Sequence, residues 1–181
     1  YWTYTIMRMI GRVAFPIFCF LLVEGFLHTH DVKKYAMRLG LFALISEIPF
    51  DLAFSSKILE FNYQNVFFTL FIGLLTMIAY RAVEEKEEWN QALKVILYIV
   101  AAGMALAYFL KTDYAEKGVF CIMVLYIFRK KKMWQIIAGC ASFIWETPAL
   151  FGFIPIAFYN GTRGLKMKYF FYIFYPAHLL I

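Results

Sequence analysis

Five charged side chains stand inside runs of residues apolar enough to cross a bilayer: Arg12, Glu24, Glu47, Asp51 and Glu146. A charge at mid-bilayer costs at least about 2.5–3.5 kcal/mol on insertion scales, so such residues face a bundle interior and have partners there. Glu24 and His28 are four apart, hence on one helical face, where a carboxylate can hold an imidazole in one tautomer as an oriented base. The alternative is a helix-end histidine at the interface beside a snorkelling glutamate. Glu47 and Asp51 share that spacing, with Pro49 between them to bend the segment. Two carboxylates at one depth favour a cation or a shared proton, unless they serve as ion-pair partners of Arg12 or Arg38. His178, alone in "FYPAHLL", reads as a hydrogen-bonding residue on a neighbouring helix or as a second base.

Helices must position these groups. The 181 residues are 63% hydrophobic and 21% aromatic with a mean hydropathy of +0.66, which excludes an ordinary soluble domain. Seven apolar segments, at about 9–27, 36–54, 66–83, 95–110, 119–128, 133–159 and from 169 onward, predict an all-α, multi-pass transmembrane helical bundle. The whole chain, 1–181, reads as a single transmembrane domain, with further spans expected beyond both ends. Segment 119–128 is short and would lengthen by borrowing the preceding "YAEKG". Segment 133–159 is long but interrupted by "ETPALFGFIP", whose prolines and glycine weaken a regular helix. Irregular backbone at membrane depth is tolerated only against protein or a wet cavity, so this break points toward a site.

The net charge of +6 resides in loops, where it sets orientation and touches membrane lipids; no nucleic-acid module is implied. Cys19, Cys121 and Cys140 lie in apolar runs without paired spacing, so neither disulfide nor metal is expected. Alternate connections carry ten Lys and Arg on one side, including "RKKK" at 129–132, and seven on the other. The richer side is expected in the cytoplasm, with "RKKK" as an anchor. On that orientation Arg12, Glu47, Asp51, Glu146 and Arg163 converge in the outer half of the bundle, and Glu24 and His28 lie toward the inner half.

The block "GRVAFPIFCFLLVEGFLHTHDVKKYAMRLGLFALISEIPFDLAF", followed by "FYNGTRG" and "FYPAHLLI", resembles the TraX family of bacterial inner-membrane proteins, the F-pilin acetylase-like group. The resemblance implies an integral acetyltransferase of the cytoplasmic membrane, with acetyl-CoA as donor and a pilin-like protein or an envelope glycan as acceptor. It also implies an Asp-His pair on a helix upstream of "GRVAFPIF". Acetyl transfer needs a base, oxyanion stabilisation and cationic contacts to the donor phosphates. The chain offers His28 and His178 as bases and Glu24, Glu47, Asp51 or Glu146 to orient one. Arg12, Arg38 and Arg163 are its candidates for phosphate. A transporter or flippase also uses buried charges and broken helices, but no internal repeat is visible. A structural assembly factor would not require so many intramembrane charges.

Overall fold

A backbone amide in lipid finds no water, so apolar runs of this length close their hydrogen bonds internally as helices. The computed structural model describes residues 2–55, 64–86 and 89–162. Helices α1 (Trp2–His28), α2 (Val32–Ser55), α3 (Val66–Glu84), α4 (Trp89–Phe109) and α5 (Ala115–Ile127) follow one another. After them come α6 (Lys132–Ser142), a 3₁₀ helix (Thr147–Gly152) and α7 (Phe153–Phe158). Two compact units form: residues up to 29 with 120–162, and residues 30–119; α5 begins in the second and ends in the first. Segment 169 onward lies outside the described residues.

In the second unit, α3 packs against α2 on one side and α4 on the other. The buried positions of α2 include Leu39, Ala43, Ser46, Glu47, Pro49, Phe50 and Asp51, while Met37, Leu41, Leu44, Ile45, Ile48 and Leu52 are exposed. A soluble helix does the reverse. Carboxylates inward and leucines outward is the arrangement of a helix in lipid, and it explains how α2 carries five charges along 24 residues. Helices α3 and α4, and residues 9–28 of α1, are each long and apolar enough to cross.

Two turns are closed by named contacts. Asp31 caps α2, its Oδ1 accepting from the Lys34 N–H at 3.0 Å. At the opposite end of the second unit, the Gln64 N–H donates to the Lys111 carbonyl at 3.0 Å, and the Asp113 N–H to the Gln64 carbonyl at 2.8 Å. Lys111, Tyr114 and Ala115 in that turn have φ of 51°, 62° and 40°, a region that costs side chains with a Cβ.

In the first unit, Phe15, Cys19, Leu22, Val23 and Phe26 make the buried stripe of α1. The Phe26 and Tyr126 rings meet edge-on at 5.5 Å, so the last turns of α1 and α5 lie together. The segment expected to cross at 133–159 does not. It breaks at 143–146, and the Lys132 Nζ donates to the Tyr159 carbonyl, which brings its two ends to one place. It is a re-entrant hairpin packed on α1 through the 3₁₀ helix and α7. Gly152 allows the close approach: a Cβ there would stand 2.5 Å from the Val13 carbonyl oxygen and 2.6 Å from Pro16 Cγ. Segment 119–128 becomes α5, which takes in Ala115–Gly118 but reaches only 13 residues, about 20 Å of helix and short of the length expected for a crossing.

The hairpin's bend leaves carbonyls at the end of α6 that lipid cannot satisfy, and side chains supply the donors. The Ser142 carbonyl accepts from Cys121 Sγ at 3.3 Å and from Trp145 Nε1 at 2.8 Å. Phe143 is fully buried there, with the rings of Phe15, Phe153 and Trp145 at 5.9, 5.6 and 6.3 Å.

Candidate functional site

The last turn of α1 carries the first cluster. His28 Nδ1 lies 2.9 Å from the Glu24 backbone carbonyl and 3.7 Å from Glu24 Oε2. The nearer partner is an acceptor, so Nδ1 bears a proton, and in the neutral ring Nε2 keeps its lone pair. The ring is held by the backbone and the carboxylate stands second, an arrangement that also fits the helix-end histidine at the interface. His28 is 68% exposed and Glu24 19%. The Glu24 carboxylate also hydrogen-bonds the Tyr159 side chain. Tyr159 packs its ring on Phe20 at 5.4 Å and accepts from Lys132 through its carbonyl.

Arg129 completes this end of the unit. Its guanidinium sits 4.0 Å from the centre of the Tyr126 ring and donates to the Tyr126 carbonyl at 3.0 Å. The α1 terminus, the 129–132 turn and the exit of the hairpin are thus tied together by two bridges, Phe26–Tyr126–Arg129 and Glu24–Tyr159–Lys132. Sequence reasoning missed Tyr159 and Tyr126, because a tyrosine that is one of 13 carries no spacing signal.

The tip of the hairpin holds the second cluster. Arg12 Nη1 and Glu146 Oε1 are 2.9 Å apart, with 33% and 15% of their side chains exposed. Pro16, one turn on, has no N–H for the Arg12 carbonyl, so α1 is locally open at the depth where the tip arrives. From Arg12 to Glu24 is 12 residues, about 18 Å of helix, which is how deep the hairpin reaches.

The second unit has a polar site of its own. Asn65 is fully buried and uses every polar atom: Nδ2 donates to Glu47 Oε2 and to the Ala43 carbonyl at 2.8 Å, the backbone N–H donates to Glu47 Oε2 at 3.3 Å, and Oδ1 accepts from the Phe67 N–H at 2.9 Å to cap α3. Asp51, one turn along α2, is buried beside it. Glu47 Oε1 and Ser46 Oγ are buried without a hydrogen-bond partner among the described residues. Asn65 was missed because it precedes its helix, outside any apolar period. Arg38 is half-buried, with Nε lacking a hydrogen-bond partner among the described residues.

Arg12 meets Glu146 in the first unit, and Glu47 meets Asn65 in the second. Arg163 and His178 lie outside the described residues. Among those residues no group of three or more His, Cys, Asp or Glu is placed to hold a metal ion.

This charge pattern, the "FYNGTRG" exit and the apolar bundle together cover the chain, and the TraX protein family matches all of it, residues 1–181. The chain belongs to the TraX family. A curated relative, "Probable fimbrial assembly protein FimC, serogroup H1" of Dichelobacter nodosus, is 28% identical over an alignment of 207 residues that covers 99% of this TraX chain and 82% of the relative. No solved structure matches it.

Proposed function

We propose that this TraX protein is an integral acetyltransferase of the bacterial cytoplasmic membrane, moving an acetyl group from acetyl-CoA to an amine or hydroxyl of an envelope acceptor. The fimbrial-assembly name of its relative favours a pilus subunit as that acceptor. The observation that carries the reading is His28, an imidazole whose Nδ1 is fixed by the Glu24 carbonyl while Nε2 stays open, at the basic end of the first unit. Nε2 takes the proton of the acceptor N–H or O–H as its lone pair attacks the thioester carbonyl. Glu24 Oε2, 3.7 Å from Nδ1, stabilises the imidazolium, and Tyr159 holds that carboxylate. The C–S bond then breaks, and Nε2–H protonates the departing thiolate.

Orientation agrees with the donor's location. Because 133–159 folds back, the chain leaves Tyr159 at the end where "RKKK" lies, and the "NGTRG" loop no longer begins on the opposite side. With Arg163, Lys166 and Lys168 no longer on the poorer side, the alternate connections there carry four Lys and Arg, Arg8, Lys57, Lys111 and Lys117, against ten on the other. This positive-inside bias supports a cytoplasmic position for His28, on the side where acetyl-CoA is available. A flippase is the second reading, favoured by the re-entrant hairpin with its Arg12–Glu146 pair at depth.

The test is transfer of labelled acetyl from acetyl-CoA to pilus subunits by the purified protein. His28→Ala is expected to lower kcat by about 10²–10⁴-fold with the protein still folded. Full turnover in that variant, or proton-coupled transport without acetyl transfer, overturns the proposal.

A further inference from the structure

The four basic residues at 129–132 divide into two pairs. Arg129 is held on Tyr126 and Lys132 on the Tyr159 carbonyl, so the outer two maintain the fold. Lys130 and Lys131 are exposed and have no side-chain partner among the described residues. With Ile127, Phe128 and Trp134 they line an open cleft of about 420 Å³. Trp134 and Phe128 leave 55% and 39% of their surface uncovered. Two ammonium groups over a cleft walled by an indole and a phenyl ring suit phosphate esters joined to a flat heteroaromatic ring. The ammoniums act as point charges on phosphate, and the indole offers a stacking face that tolerates any base.

We propose that this cleft binds the nucleotide end of the acyl donor, with its phosphates on Lys130 and Lys131 and its base on Trp134. Naming the donor rests on the acetyl-transfer reading; the chemistry of the cleft does not. The position fits, because the two bridges from Arg129 and Lys132 hold this turn against the last turns of α1, so a bound nucleotide leaves its thioester arm at the end of the unit that carries His28. Arg12, the arginine expected to take phosphate, is 16 residues from His28, about 24 Å of helix, and is engaged by Glu146. An anionic lipid headgroup offers the same phosphate chemistry, so the test must separate the two sources.

The full-length protein in nanodiscs of phosphatidylcholine alone is titrated calorimetrically with CoA and with adenosine bisphosphate. Both are expected to bind. The double variant Lys130→Ala with Lys131→Ala, and separately Trp134→Ala, should each raise Kd by about tenfold or more, whereas the Lys→Arg pair should stay within about threefold. Donor KM in the transfer assay should rise by the same factors with kcat unchanged. Affinities indifferent to all three variants overturn the proposal. So does selective retention of phosphatidylglycerol with no nucleotide uptake in neutral lipid, which would make the cleft a lipid site. Nucleotide binding with these sensitivities but no acetyl transfer to any acceptor leaves the cleft standing and removes the transferase. Transfer with a donor KM blind to Lys130, Lys131 and Trp134 does the opposite.

Discussion

At the scale of single residues, the arrangement of His28 separates orientation from charge. A backbone carbonyl fixes the ring and a carboxylate 3.7 Å away supplies the anion. Glu24→Gln keeps the backbone bond and removes only the charge, so acetyl transfer should fall by about tenfold in kcat while donor KM stays constant. Equal losses in kcat from Glu24→Gln and His28→Ala would mean that the carboxylate and not the ring does the chemistry. The i,i+4 spacing made this pair legible in the sequence. Nothing in that spacing told which oxygen of Glu24 would take the imidazole N–H, since the last turn of any helix leaves its carbonyls available.

At the scale of elements, the hairpin depends on a few contacts at its tip. Phe143→Ala removes the ring shared by Phe15, Trp145 and Phe153 and should destabilise the first unit by about 3–5 kcal/mol, read from thermal unfolding in detergent. Arg12→Ala, which leaves a part-buried Glu146 alone, should cost more than an exposed pair's ~1 kcal/mol and less than the ~3–5 kcal/mol of a fully buried one. Exchanging the two charges, Arg12→Glu with Glu146→Arg, should recover most of that loss; no recovery would mean that packing rather than charge holds the tip. Helix α2 has a pH-dependent start. The Lys34 backbone N–H, and then its side chain, lower the Asp31 carboxyl from 3.8. The cap's contribution is therefore complete above pH 3.8 and is lost as pH falls through the lower folded value. Amide exchange at Lys34 should accelerate in that acid window and be pH-independent there in Asp31→Ala, once the intrinsic rate is subtracted.

At the scale of the whole molecule, the order of the helices was legible from local period, and "ETPALFGFIP" pointed to a loss of regular helix, but the chain breaks just ahead of those prolines, at 143–146. The direction taken after the break was not legible. It is decided by contacts far apart in sequence: Lys132 with Tyr159, Arg12 with Glu146, and Gly152 against Val13. Composition gives a crossing and a re-entrant pair the same apolar run. Single cysteines placed by Lys130→Cys and Asn160→Cys, in a background with Cys19, Cys121 and Cys140 replaced by Ser, should react with an impermeant thiol reagent from the same membrane face; labelling from opposite faces would restore the crossing. The buried acid on α2 has a further consequence, for synthesis. Among the described residues Glu47 takes its hydrogen bonds only from Asn65, the residue that introduces α3, 18 positions later. When α2 leaves the ribosome its carboxylate has no partner in lipid. Helices α2 and α3 therefore enter the bilayer together, and a nascent chain halted before Asn65 should leave α2 waiting at the insertion machinery.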